Sequence, residues 1–158
     1  MPKNTRSVDH SSLKSNQGLI VLFLVLAFIF DFPYLAAFVA IVMMAGTIFG
    51  RPGFFPIYKW ILVPIGLVKP EILTDNPEPH RFAQGFGASV LVAASILLFM
   101  FSTTIGWILV WLVIGLAVLN VIVGFCVGCA FYYWFNKLRI PGFSKAPLPG
   151  TFPGMKPK

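Results

Sequence analysis

The chain has 158 residues, of which 58% are apolar and only 11% charged, with 17 phenylalanines and a net charge of +7. One small water-soluble core cannot hide that much apolar surface, so an ordinary soluble domain is excluded and a bilayer is the expected solvent. The basic balance then reads as attraction to anionic membrane lipid, and nucleic acid is not expected as a partner.

Residues 1–16 form a polar, basic N-terminal tail, and two apolar stretches follow, Gly18 to Phe49 and Phe82 to Phe135. Each is too long for one crossing of roughly 20 residues. The first breaks at Asp31-Phe32-Pro33, where a charge meets a helix-breaking proline, and the second near the small polar run Ser102 to Gly106. The spacing predicts an all-α membrane protein with four transmembrane helices arranged as two helical hairpins, over residues 17–49 and 81–135. The spans are Gln17 to Phe30, Pro33 to Phe49, Arg81 to Phe101 and Ile105 to Phe135, the first lengthened if Ser12 to Asn16 begin it as helix at the headgroups.

In that arrangement all twelve Lys and Arg residues share one side with both termini and the 50–80 connection, leaving Asp31 on the other. The positive-inside rule therefore puts both termini in the cytoplasm. A cleaved signal peptide, with a cut near Ala36-Ala37, is the competing account of the N-terminus, but nothing downstream looks like an exported soluble domain.

An internal repeat is legible. Val8-Asp9 before Lys14-Ser15-Asn16-Gln17-Gly18 resembles Thr74-Asp75 before Arg81-Phe82-Ala83-Gln84-Gly85, suggesting two halves in parallel orientation. Between them, residues 50–80 are apolar but cut by Pro52, Pro56, Pro64 and Pro70, which suits an interfacial segment with Tyr58 and Trp60 at headgroup depth. The tail, residues 136–158, holds Pro141, Pro147, Pro149, Pro153 and Pro157 and is expected to be extended, ordered only by a partner.

Cys126 and Cys129 lie three apart, on a face of the last span with Ile122 and Tyr133, while Ala117, Asn120, Gly124 and Gly128 form a second, small-residue face suited to helix packing. Three readings of the cysteines are open. They are small buried residues, a redox pair, or half of a Cys2His2 metal site with His10 and His80. Late in a helix the dipole disfavours a thiolate, which weighs against redox work, and a metal would need both histidines from outlying approaches. No metal and no cofactor is required by the sequence. His80, Arg81 and Gln84 form a second polar concentration able to meet a lipid headgroup or a quinone, or to serve as an interface anchor. No acid lies mid-span, so an ion pump is not expected.

Asp75, Pro79 and Arg81-Phe82-Ala83-Gln84 before the third span, with Phe125-Cys126-x-Gly128-Cys129 and Tyr132 or Tyr133 in the fourth, resemble a bacterial membrane-protein family catalogued as domain of unknown function, number 4395. The likeness runs from about Val8 to Tyr133. It implies an integral protein of the bacterial plasma membrane and, because some members accompany thioredoxin-like modules, strengthens a redox role for Cys126 and Cys129. The lack of a recognisable catalytic set favours an accessory subunit of a larger membrane assembly, with other membrane subunits as partners. The alternatives are a thiol–disulfide oxidoreductase with a thioredoxin-like partner, and a quinone- or lipid-binding protein.

Overall fold

The computed structural model describes residues 6–100, 103–147 and 149–156. Strand β1 (Arg6–Asp9) leads into α1 (His10–Ile29), which turns back into α2 (Pro33–Phe49). A connection follows with one helical turn, α3 (Phe55–Ile57), a π-helical turn at Tyr58–Leu62, and strand β2 (Ile72–Asp75). Helices α4 (Pro77–Met100), α5 (Thr103–Val123) and α6 (Val127–Lys137) come last. Three helices, α1, α4 and α5, are long and apolar enough to cross a membrane; α2 is apolar but shorter, at 17 residues. The expected span end at Phe101 and the start of the turn at Ser102 lie outside the described residues.

Three features of the strands and helices differ from the sequence expectation. The chain is not all-α, because β1 and β2 pair antiparallel, with Ser7 opposite Thr74 and Val8 opposite Leu73. Strands of four residues are too short to show a readable alternation, and their pairing is made by the two helices they precede. Second, α1 starts at His10 because Asp9 caps it, its Oδ1 accepting from Ser11 N at 3.0 Å and Ser12 N at 3.3 Å. Third, the last span stops at Val123 rather than running to Phe135, since Gly124 takes φ 72°, a left-handed conformation open to glycine. Hydropathy runs straight through that break because Phe125 follows it.

Helix α1 packs on α5 and α4 on α2, while each hairpin also closes on itself. Ile20, Leu24, Val39, Leu91 and Val110 are fully buried between them. The C-terminal part of α2 is met by α4: Arg81 Nε donates to Thr47 O at 2.6 Å and Arg81 Nη2 to Ile48 O at 3.2 Å, both among the last carbonyls of the helix, and Gln84 Nε2 donates to Met43 O one turn earlier at 2.9 Å.

The connection closes over the same end. Asn16 Oδ1 accepts from Phe54 N at 2.9 Å, and Tyr58 donates to Asp9 Oδ2 at 2.6 Å. Burial and the Asp9 carboxylate push the Tyr58 phenol far above its ordinary range. Tyr58 is therefore an inner residue, while Trp60 stays 74% exposed, so the two aromatics do not share the interfacial role expected of them. The proline-rich tail also departs from its expected extension. Asn76 Nδ2 donates to Ala146 O at 3.1 Å, and Asn136 Nδ2 to Phe143 O at 2.6 Å. The Phe143 ring sits 5.0 Å from that of Tyr132. Composition reports the local preference of such a tail and not the docking partners that its own chain supplies.

Candidate functional site

The break after α5 sets the site. Gly124 N bonds Asn120 O at 3.0 Å to close α5, and Cys126, in extended conformation, then caps α6. Its Sγ accepts from Cys129 N at 3.2 Å. The two sulfurs lie at disulfide distance, with Cα atoms 5.2 Å apart, inside the usual range for a bridge. The cysteines thus occupy the N-terminal, positive end of a new helix, the opposite of the placement expected late in a continuous one, and here the dipole and first-turn N–H groups favour a thiolate. Both are buried, Cys129 at 2% exposure and Cys126 at 7%. Cys126 borders two clefts, whereas Cys129 faces inward to His80.

His80 stands in the first turns of α4 with its Nδ1 3.5 Å from Cys129 Sγ and its Nε2 2.9 Å from Asp75 Oδ2. An ionised carboxylate accepts and cannot donate, so Nε2 carries the proton and Nδ1 is left to exchange one with the sulfur. Asp75, at the end of β2, is 4% exposed and also accepts from Asn76 N at 2.7 Å. His10 Nε2 approaches the same carboxylate oxygen at 3.1 Å but off the hydrogen-bond direction. Burial drives the Asp75 carboxyl upward, yet contacts with His10 and His80, the His80 charge and the Asn76 N–H outweigh it and hold the group well below the usual carboxylate range.

A group whose folded pKa is depressed stabilises the fold fully above its unfolded value, about 3.9 for aspartate, and loses that contribution as pH falls below it. Thermal unfolding of the detergent-solubilised chain is expected at lower temperature at acid pH than at neutral pH, with part of the difference removed by Asp75→Asn. An equal acid shift in that variant contradicts the assignment.

Gly128 holds α6 in place. A Cβ there would sit 2.8 Å from the Ala83 Cα, so α6 approaches α4 backbone to backbone and carries Cys129 to His80. Gly128→Val is expected to lower stability by about 1–3 kcal/mol through overpacking and to widen the sulfur–imidazole contact. Unfolding of the variant at the native temperature contradicts this.

The sequence-derived candidates are thus redistributed. Cys126, Cys129 and His80 converge; Arg81 and Gln84 spend their donors on the end of α2, although with His80 they line a neighbouring cleft of about 200 Å³. Ala117, Asn120, Gly124 and Gly128 do not share one helix face, since the chain turns at Gly124. Asn120 is half-buried and makes no side-chain hydrogen bond among the described residues. The sequence does not single out Asp75 as the residue behind His80, because that link depends on the strand pair; an Asp five residues before a His is a faint signal.

Donor atoms of His80, Cys126 and Cys129 lie within 4.8 Å of one another, as do those of His10, Asp75 and His80. Reduced, the first set offers three ligands to a thiophilic ion; with the sulfurs joined it offers one. The Cys2His2 alternative does not assemble among the described residues, since His10 turns to Asp75.

Membrane-length apolar helices, with a Cys-x-x-Cys pair capping a short helix beside an imidazole–carboxylate couple, define the class of protein. The chain belongs to the family described as Domain of unknown function (DUF4395), whose model matches residues 8–137. No curated protein and no solved structure matches it. The matched range takes in His10, Asp75, His80 and both cysteines and stops before most of the tail.

Proposed function

We propose that the chain is a membrane thiol–disulfide oxidoreductase exchanging electrons with a thioredoxin-like dithiol protein through Cys126 and Cys129. The carrying observation is the line Cys129–His80–Asp75 at the N-terminus of α6. The accessory-subunit reading rested on the lack of a catalytic set, and this line supports a redox role in its place.

The geometry suits a two-step exchange. A partner thiolate attacks Cys126 Sγ from the recess edged by Lys14 and Lys156; the Cys126–Cys129 bond breaks, a mixed disulfide forms, and Cys129 leaves as thiolate beside His80. The partner's second thiolate then attacks its own half of the mixed disulfide, forming the partner disulfide and releasing Cys126 into the Cys129 N–H. Two electrons pass to the chain, and His80 Nδ1 is placed to hold the proton that Cys129 gains or sheds. In reverse, the same steps reduce a partner disulfide.

The surrounding architecture is read the same way. With α2 as a fourth crossing, the strand pair, α6 and the tail share one end with Lys14, Arg51, Lys59 and Arg81, and Asp31 lies at the other; this supports both termini, and the sulfurs, on the cytoplasmic side of a bacterial membrane. The matching packing of α1 on α5 and α4 on α2 supports a parallel repeat. A tag inserted at Asp31 is expected to be labelled from outside intact cells; labelling only after permeabilisation removes this topology.

The functional test mixes the purified full chain with reduced thioredoxin and follows thioredoxin oxidation. Transfer of one disulfide per chain, lost in Cys126→Ser, is expected. A chain whose cysteines stay paired while thioredoxin stays reduced, under conditions where the potentials favour transfer, removes the proposal.

A further inference from the structure

A dithiol that accepts electrons from a soluble partner needs an outlet, and the surroundings of Cys126 point to one. Cys126 stands where two clefts meet. One is a recess beside the tail residue Gly154, edged by Lys14 and Lys156. The other is an apolar groove between α4, α5 and α6, walled by Phe86, Val90, Leu112 and Leu116. Its mouth opens sideways, with Phe86 53% and Leu112 50% exposed, on two helices of membrane-spanning length. From Asn120 down to Leu112 is about 12 Å of helix, so the groove runs from the sulfur toward the lipid-facing middle of the bundle.

Resting on the redox reading above, we propose that this groove binds a lipid-soluble quinone, ring against Cys126 and tail emerging between α4 and α5. Two observations favour that occupant. Phe86, Val90, Leu112 and Leu116 give the groove an apolar wall reached from the lipid side, which suits an isoprenoid amphiphile. At its inner end the amides of Gln17 and Asn120, neither hydrogen-bonded among the described residues, offer N–H donors to ring carbonyl oxygens. A redox sulfur bordering the groove also selects a two-electron acceptor over an inert lipid.

The reaction is balanced. Two S–H bonds break and one S–S bond forms at Cys126 and Cys129; two electrons and two protons pass to the quinone, which leaves as hydroquinone. His80 receives the Cys129 proton before it moves on.

The test uses the full chain in quinone-free phosphatidylcholine nanodiscs, pre-reduced and freed of reductant, with a decyl-substituted benzoquinone as probe. One hydroquinone per Cys126–Cys129 disulfide formed is expected. Leu116→Trp, which fills the groove, is expected to raise KM for the benzoquinone about tenfold and to leave exchange with thioredoxin unchanged. Leu112→Trp at the mouth replaces it if the first variant does not fold. Intact thioredoxin exchange without benzoquinone reduction overturns this inference alone, as does reduction with the same KM in a folded groove variant. A phospholipid found by native mass spectrometry to hold the groove against the benzoquinone overturns it too. Loss of both exchanges, by contrast, removes the thiol function itself.

Discussion

Cys129→Ser is expected to accumulate a covalent complex with a thioredoxin-like partner, and Cys126→Ser to form none. The asymmetry follows from position. Cys126 borders both clefts and receives the incoming sulfur, so a chain retaining Cys126 alone can form the mixed disulfide but has no second thiol to resolve it. Cys129 is 2% exposed and turned to His80, and left alone it is out of reach of a folded partner's thiol, though not of a small alkylating reagent. Both variants should lose turnover completely, because one thiol cannot cycle as a disulfide. Non-reducing electrophoresis with a partner lacking its own resolving cysteine reads the outcome. Equal trapping by the two variants would show that the buried sulfur is as accessible as the capping one, and the assigned roles would fall.

The second large effect belongs to His80. His80→Gln keeps a side-chain N–H for Asp75 but removes the ring nitrogen facing Cys129, and it is expected to slow thiol exchange by roughly a hundredfold, the usual range for loss of a positioned acid–base group. Asp75→Asn acts through the imidazole rather than on sulfur. A carboxamide can present either a donor or an acceptor to Nε2, the tautomer is no longer fixed, and Nδ1 loses its defined role. The discriminating readout is the pH profile of Cys129 alkylation in a Cys126→Ser background. Replacing either residue should change the shape of that profile, whereas a purely structural role would lower the fold's stability and leave it as it was. His80→Ala is a poorer probe, since it strips a buried carboxylate of its best-aligned partner.

The sequence carried the helical, bilayer-suited character of the chain in its apolar runs and in the proline and charge at Asp31-Phe32-Pro33. Helix α2 covers Pro33–Phe49, the range read for that span, since Pro33 and Gly50 punctuate both of its ends. The site was less legible for two physical reasons. Gly124-Phe125-Cys126 interrupts a helix without interrupting hydropathy, so a window average reads through it and places the cysteines at the wrong end of a dipole. The link from Asp75 and His10 to the sulfurs passes through a four-residue strand pair and the Gly128–Ala83 approach, both set by tertiary packing. Arg81 and Gln84 show the converse. Their polarity at a span boundary is visible in the sequence, but their donors end the α2 helix, and only the folded chain separates that work from ligand contact.

The most direct measurement is a redox titration of the full chain in detergent, with the Cys126–Cys129 disulfide counted by differential alkylation and mass spectrometry across thiol buffers of known potential. A reversible two-electron midpoint within the span of catalytic Cys-x-x-Cys pairs, about −120 to −270 mV, is the predicted result. A midpoint below about −300 mV, as for a structural bridge, or thiols that remain unpaired at every potential, would contradict a working redox pair.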